Sequence, residues 1–568
     1  MKKLINDPRH VVREMLEGIV DISPALALLE DENVVVRADL PEQAARPVAV
    51  LSGGGSGHEP AHAGYVGDGL LTGAIAGDVF TSPSSDAVLS AIRATSGPAG
   101  AVLIVKNYTG DRLNFGLAAE LARTEGIPVE IVVVADDVAL RDVVEPARRR
   151  GLAGTVLIHK IAGAAARKGH SVQEVASIAR EASAALGTMG VALGACTLPG
   201  ASKPGFTLPE NEVELGLGIH GEQGVSRSPL SSADELTETL IATLADDLGL
   251  KDGARIALLV NGLGATTPLE LAIVGRAALA ALRQRRLQVE RVWSGNYLTA
   301  LDMPGCSLSL LRLDDERLAL LDAPATSPAW QPGIAVQPAR KLVSAAPLAA
   351  TEEPADIGAA PASDLVRAAL QAVATAMRNA EPELTDLDSR TGDGDLGASM
   401  VRGAEAIETL PRNASQSAGS LLAALGNALR RAIAGSSGPF YAVALMRTGR
   451  RLDEARNPGA RDWAEAFEMA VASVGELGGA KPGDRTMLDA LHPAADALLH
   501  GLDAGLSPRK ALSKAVQACA EGVDATTRMH PRLGRAAYLG ERAIGSPDAG
   551  AAAVLVWMRA LEKAVTRS

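Results

Sequence analysis

Aromatic side chains are scarce: Phe, Trp and Tyr make up 2% of the 568 residues. Proteins that grip single-stranded nucleic acid stack bases on rings and draw the phosphates into a positive groove. Here 55 basic residues face 67 acidic ones, a net charge of −12, so nucleic acid is not an expected partner. Cysteine is nearly absent as well. Cys196, Cys306 and Cys519 form no CxxC pair, and an odd count does not suit a disulfide framework, so a cytoplasmic protein is expected. Long apolar runs are missing too. The start, MKKLINDPRHVVREML, lacks the apolar centre of a signal peptide. The longest uncharged stretch, 182–202, is broken by Gly, Ser, Thr and Pro and reads as a loop-rich core segment, so no membrane span is expected. The dipeptide Gly-Lys occurs nowhere, which excludes a P-loop.

What remains is ordinary globular composition, 47% hydrophobic and 21% charged. At ~100–200 residues per domain, the length predicts about three domains or large subdomains. Two styles of sequence are joined. Up to residue 336 the runs PVAVLS (47–52), AVLIVK (101–106), EIVVVA (130–135), RIALLV (255–260) and VERVWS (289–294) alternate with amphipathic segments such as 115–123 and 268–282. Strands alternating with helices predict an α/β region over 1–336, with subdomains near 1–190 and 191–336. Residues 337–362 are rich in Ala and Pro and read as a linker. Over 363–568, Ala/Leu-rich periodic segments (365–379, 419–433, 463–477, 485–502, 508–528 and 550–565) predict an all-α region.

Five motifs carry the chemistry. Gly53-Gly54-Gly55-Ser56-Gly57-His58-Glu59-Pro60-Ala61-His62 follows a predicted strand, where an open α/β sheet places its ligands, and its glycines let a ligand approach the backbone. Its end matches HExxH, the zinc hydrolase signature, which needs both histidines on one helix face. A glycine run stops just before His58, and Pro60 suits only a first helical turn, so His58 is expected in a loop. A zinc hydrolase is the alternative of a different class. Lys106 and Asp111 lie just past a second strand, as a candidate anion contact and base. His220, amid glycines in LGLGIHGE, is a candidate nucleophile or base. Asp388, Asp393 and Asp395 crowd one glycine-rich stretch, and oxygen ligands of this kind suit Mg²⁺. Three polar loops between helices (Ala434-Gly435-Ser436-Ser437-Gly438-Pro439, Gly483-Asp484-Arg485-Thr486-Met487 and Ser546-Pro547-Asp548-Ala549-Gly550) together suggest one rim of a nucleotide pocket.

In this order, GGGSGHEPAHAG, the Lys106/Asp111 loop, GLGIHGE, LDxxxGDGDxG, GSSGPFY, GDRTMLDAL and the PDAGA stretch resemble the ATP-dependent dihydroxyacetone (glycerone) kinases over nearly the whole chain. The resemblance implies a sugar-binding K domain fused to a nucleotide-binding L domain shaped as a helical barrel, and a homodimer. It implies that His220 holds a small ketose covalently as a hemiaminal. Gly55, Ser56, Gly57 and His58 would bind the sugar, Lys106 would contact it, and Asp111 would act as base. Asp388, Asp393 and Asp395 match the ligands of Mg²⁺. Asp395, Leu396, Gly397, Ala398, Ser436, Ser437, Gly478, Thr486, Met487, Asp548, Ala549 and Gly550 match contacts to ATP. Two places depart from the family: Ala549 replaces a customary proline, and the segment 294–306 varies, with Pro304 and Cys306 its oddest positions. Neither is expected to touch the chemical residues. Dihydroxyacetone is the expected substrate; a related short ketose such as erythrulose is the alternative.

Overall fold

The computed structural model describes residues 2–222, 224–337, 339–344, 364–410, 417–435, 437–455 and 457–567. Most of the expected linker, and Ser436, lie outside the described residues. The chain divides into two compact units, Met1–Val343 and Ser344–Ser568.

The first unit holds two sheets. One is built from β1 (Leu26–Leu28), β2 (Val34–Arg37), β3 (Ala49–Ser56), β4 (Gly73–Val79), β5 (Ala101–Lys106) and β6 (Val129–Val134), in the order β1-β2-β4-β3-β5-β6. The other contains β7 (Leu186–Ala192), β8 (Glu212–Leu215), β9 (Ser226–Pro229), β10 (Arg255–Gly262), β11 (Gln288–Gly295), β12 (Gly305–Arg312) and β13 (Ile334–Ala335), in the order β13-β11-β10-β12-β7-β8-β9. The helices are α1 (Val11–Asp21), α2 (Ser85–Thr95), α3 (Thr109–Thr124), α4 (Thr155–Arg167), α5 (Val172–Ala184), α6 (Ala233–Asp247), α7 (Pro268–Gln284) and α8 (Asp315–Asp322).

AVLIVK is a continuous apolar run because β5 is covered on both faces. Val102 and Ile104 enter one core with α4 and α5. Ala101, Leu103 and Val105 enter another with α2 and α3. The second sheet uses the same alternation. Leu258 and Val260 face α6 and α7, whereas Ala257 and Leu259 point into the core built on α4. The two sheets therefore share one apolar interior.

Strands β3, β4, β5 and β6 run parallel, and β3 lies between β4 and β5. The chain leaves β3 toward one side and later returns on its other side, a topological switch that opens a crevice at the strand ends.

The stretch 182–202 is not loop-rich throughout: it contains β7, fully buried between β12 and β8. Leu-Gly-Thr-Met-Gly-Val-Ala has no period-two signal. Its burial comes from ladders on both sides and from layers that approach closely over small residues.

The second unit contains α9 (Asp364–Asn379), α10 (Glu381–Thr391), α11 (Leu396–Glu408), α12 (Ala418–Ala432), α13 (Ser437–Glu454), α14 (Ala460–Gly478), α15 (Leu488–Asp503), α16 (Pro508–Thr526) and α17 (Ala549–Arg567), with no β-strand among the described residues. Helix α9 packs on α11, each helix from α11 onward packs on the next, and α17 returns to α9, closing a barrel. Ser437-Gly438-Pro439, expected in a loop, is instead the first turn of α13. Proline is at ease there because its missing N–H would have no intrahelical partner.

Two glycines should respond oppositely to alanine. Gly116 in α3 has open space where a Cβ would stand, so Gly116→Ala should stabilise by up to ~1 kcal/mol through helix propensity. Gly163 in α4 crosses the backbone of Leu70, which a Cβ would overlap, so Gly163→Ala should cost about 1–3 kcal/mol despite the same propensity. Urea denaturation of both variants checks the signs.

Candidate active site

The crevice at the ends of β3 and β5 collects the first group of side chains. Lys106 closes β5, and Asp111 lies in the first turn of α3. Both reach over Gly54, where a Cβ would lie 2.8 Å from Lys106 Nζ and 3.5 Å from Asp111 Oδ2. Gly54 also has φ +151°, a region open to glycine, so this strand end tolerates no side chain for two reasons. Gly55 packs on the backbone of Phe80 and Thr81, Ser56 Oγ donates to Gly77 O at 2.7 Å, and Gly57 N donates to Glu59 Oε1 at 3.0 Å. Phe80 and Leu301 both lie in the left-handed region, φ 59° and 56°, and both would crowd a Cβ on Gly57.

His58 is fully buried, with Nδ1 2.8 Å from Thr299 O. A carbonyl only accepts, so Nδ1 carries the proton and Nε2 offers a lone pair. That Nε2 has no protein partner, nor does Asp111 Oδ1. A buried unsatisfied polar atom costs about 1–3 kcal/mol, so two of them at one crevice offer a polar ligand two unused positions.

His220 enters from the other sheet, on the loop between β8 and β9. Its backbone N–H donates to Glu222 Oε2 at 2.7 Å. Glu222 is tied to Arg150 (3.4 Å), which also binds Asp137 (2.6 Å) and Gly216 O (2.8 Å). The imidazole is boxed by ring edges rather than held by hydrogen bonds. Its centroid lies 5.0 Å from His58, 5.5 Å from Phe80 and 4.4 Å from Tyr108, each at a steep angle. Burial pulls His220 below the ordinary histidine value, Glu222 opposes this, and Lys106 adds to it. Burial, with Lys106 and His220 nearby, drives His58 well below that value. Two neutral imidazoles therefore share the crevice with an unpartnered carboxylate oxygen.

The HExxH reading fails on geometry. Residues 57–62 form turns, not a helix. His58 Nδ1 is spent on Thr299 O, and His62 Nε2 lies 2.6 Å from the Lys106 ammonium, where a metal ion would have to be. Among the described residues the one cluster able to hold a cation is Asp388, Asp393 and Asp395, whose oxygens lie within 4.8 Å of one another.

That cluster belongs to the second unit. Asp388 is in the last turn of α10 and accepts from Leu396 N at 3.2 Å; Asp395 immediately precedes α11 without a side-chain capping bond, and the first turn of that helix holds Leu396, Gly397 and Ala398. Asp393 pairs with Arg535. Thr486 and Met487 precede α15, and Asp548 precedes Ala549 and Gly550 at the start of α17; Met487 and Gly550 lie against one another. Burial pushes the Asp548 carboxyl up to about 6, against the lowering hydrogen bond from Ala551 N. Helix N-termini such as these present free N–H groups suited to phosphates. Gly478 packs on the Phe440 ring of α13, the helix that begins at Ser437.

Some site residues are not visible in the sequence alone. Thr299 belongs to the variable segment 294–306, so that segment does touch a chemical residue, through the Thr299–His58 bond. Tyr108 and Glu222 lie inside the motifs; in a chain with five tyrosines, one beside Lys106 is a usable signal. Phe80 and Arg535 have none, since only folding carries them to the motifs.

A chain with a small buried crevice on an α/β unit and an acidic, cation-fitting loop on a helical barrel is built for two ligands. It belongs to the dihydroxyacetone kinase family: residues 17–329 match the Dak1 domain and 390–563 the DAK2 domain. It is 42% identical to human triokinase/FMN cyclase, over 99% of this chain and 98% of that one. It is 39% identical to a D-erythrulose kinase of Mycolicibacterium smegmatis, over 100% and 99%. The crystal structure of dihydroxyacetone kinase from C. freundii in complex with AMP-PNP and Mg²⁺ superposes with TM-score 0.63 at 35% identity, covering 99% of both chains. No helix among the described residues is long and apolar enough to cross a membrane.

The pKa directions have a sign that can be checked. Because both imidazoles are neutral at and above the ordinary value of 6.5, their NMR titrations should have midpoints below it. A His220 midpoint at or above 6.5 contradicts a partly desolvated, ring-boxed imidazole.

Proposed function

We propose that the protein is an ATP-dependent kinase of short ketoses, converting dihydroxyacetone and ATP to dihydroxyacetone phosphate and ADP. One observation carries this reading: the boxed, neutral imidazole of His220 beside the unpartnered His58 Nε2 and Asp111 Oδ1. A neutral imidazole has a lone pair for an electrophilic carbon, and a ketone offers one where glycerol does not. A His220 nitrogen adds to the carbonyl carbon. The carbon–oxygen π pair moves to oxygen, which takes up the proton that the other His220 ring nitrogen releases and becomes the hydroxyl of a neutral hemiaminal. Covalent capture of this kind selects ketoses over polyols of equal size.

The free hydroxyl to be phosphorylated then needs a base and an orienting acceptor. Asp111 Oδ1 takes its proton as that oxygen bonds to the γ-phosphorus and ADP departs with the bridging oxygen. His58 Nε2 accepts a hydrogen bond from a sugar hydroxyl, and Lys106 supplies positive charge beside it. Collapse of the hemiaminal returns the carbonyl and frees His220.

In the second unit, Asp388, Asp393 and Asp395 fit Mg²⁺. Three carboxylates so close repel one another unless a cation compensates them, and Arg535 pairs with one alone. Bound there, Mg²⁺ neutralises the ATP phosphates. The first turns of α11, α15 and α17, with Thr486, Met487 and Asp548–Gly550, cradle the nucleotide, as do Ser437 and Gly478. Asp393 gives up Arg535 when it takes a metal, which leaves that guanidinium available to phosphate.

A second reading keeps the chemistry and changes the sugar: likeness to a D-erythrulose kinase favours a four-carbon ketose. The deciding experiment is turnover on a panel of dihydroxyacetone, both erythrulose enantiomers and glycerol, with ¹³C NMR of the protein bound to ketose labelled at its carbonyl carbon to detect the sp3 adduct carbon. The expected result is a ketose-dependent adduct on His220, absent in His220→Ala, and no glycerol turnover. Turnover without a His220 adduct overturns the covalent step, and no ketose turnover overturns the kinase reading. Asp395→Asn should weaken Mg-ATP binding by about tenfold or more while the ketose adduct on His220 persists; calorimetry with unchanged Mg-ATP affinity removes Asp395 from the metal site.

A further inference from the structure

The second histidine of the HExxH sequence has no part in the mechanism above, yet it is buried and touches Lys106. Beneath the glycine strand runs a chain of polar side chains: Lys106, His62, Ser52 and His159, of which Lys106, Ser52 and His159 are fully buried and His62 is 6% exposed. Lys106 Nζ lies 2.6 Å from His62 Nε2 and 3.3 Å from Gly53 O. Ser52 Oγ lies 3.4 Å from His62 Nδ1 and 3.1 Å from His159 Nε2, and donates to Ile104 O at 2.7 Å.

This chain fixes its own protons. A hydroxyl has one hydrogen, and Ser52 spends it on Ile104 O, a carbonyl that can only accept. Ser52 Oγ must then accept from both imidazoles. His62 therefore carries its proton on Nδ1 and His159 on Nε2. That leaves a lone pair on His62 Nε2, facing Lys106, so the lysine is the donor. His159 Nδ1, the remaining lone pair, correspondingly has no partner. Burial keeps both imidazoles neutral, with His159 pushed down to about 3.

A fully buried ammonium needs acceptors on more than one side. For Lys106 these are Gly53 O below and His62 Nε2 beside it, while the Asp111 carboxylate across Gly54 supplies opposite charge at longer range. Neutral His62 directs one N–H inward without cancelling the charge, as a second carboxylate would. The third N–H is left for the crevice.

We propose that His62 is a positioning residue for sugar binding: its bare Nε2 anchors the Lys106 ammonium beneath Gly54 so that the remaining donor meets the ketose. The proposal rests on Lys106 contacting the sugar, as in the kinase reading.

The test uses the full-length chain with His62→Leu, which keeps bulk and removes the acceptor, and His62→Gln, whose side chain both accepts and donates. His62→Leu should raise the ketose KM about 10- to 100-fold, the loss of one charge-assisted hydrogen bond, with the ATP KM unchanged. His62→Gln should recover most of that loss. A wild-type ketose KM in His62→Leu overturns the proposal, as does a His62→Gln variant equally impaired in ketose KM. The bond is also tested without variants or turnover, by ¹⁵N spectra of the histidine-labelled wild-type chain. A protonated Nδ1 and bare Nε2 at His62 are expected; an Nε2–H tautomer overturns the proposal. If the wild-type chain phosphorylates no ketose, the kinase reading falls, and the nitrogen spectrum still decides the anchor.

Discussion

The site depends on burying ionisable groups where they cannot be solvated. At the ends of β3 and β5 a buried lysine, aspartate and imidazole meet a second, half-buried imidazole in one crevice. Burial opposes charge on the lysine and on both imidazoles, and they differ in what offsets it. Lys106 has Asp111 across Gly54 and acceptors on two further sides. His220 and His58 lie near that positive charge and are driven further toward the neutral form. One buried cation thus compensates the carboxylate and helps keep the imidazoles unprotonated.

That arrangement requires a backbone that takes up almost no room. Gly53, Gly54 and Gly55 are not a flexible loop but the last residues of β3. A Cβ at Gly53 would strike Ile75 O, one at Gly54 the lysine ammonium, and one at Gly55 the backbone of Phe80 and Thr81. The second sheet closes the crevice from the other side: Thr299 O sets the His58 tautomer, and the Glu222–Arg150–Asp137 chain secures the loop bearing His220. The second unit solves an opposite problem. Its aspartates remain partly exposed, and its helices present their N-termini, a surface suited to a charged ligand that arrives with its own cation.

Much was legible in the sequence because it is local. The strand AVLIVK, the helix beginning at Pro268 and the Ala/Leu-rich segments of the second half announce themselves through period and capping residues. The chemistry-bearing residues announced themselves because glycines isolate them: His58, His220 and the three aspartates stand in stretches where few side chains crowd them. Strands β4 and β7 did not, since short runs of Gly, Ala and Thr become strands only when neighbours supply the ladder. HExxH is ambiguous for a related reason, and the glycines and Pro60 around it already argued against a helix. Four-residue spacing means one thing on a helix and another on the turn after a strand.

The sequence by itself determined the two-part architecture and the types of chemical group, because periodicity, glycine spacing and the absence of a P-loop are properties of neighbouring residues. Tertiary structure alone decided which groups meet and in what protonation state. His58 and Thr299 stand 241 residues apart, and it is their hydrogen bond that leaves a lone pair facing the crevice. His62 became a partner of lysine rather than of zinc because Ser52 on β3 and His159, brought from α4, left its nitrogens only one consistent pattern of donation. Desolvation and hydrogen-bond pairing depend on what surrounds an atom in space, and the order of residues along a chain does not record that.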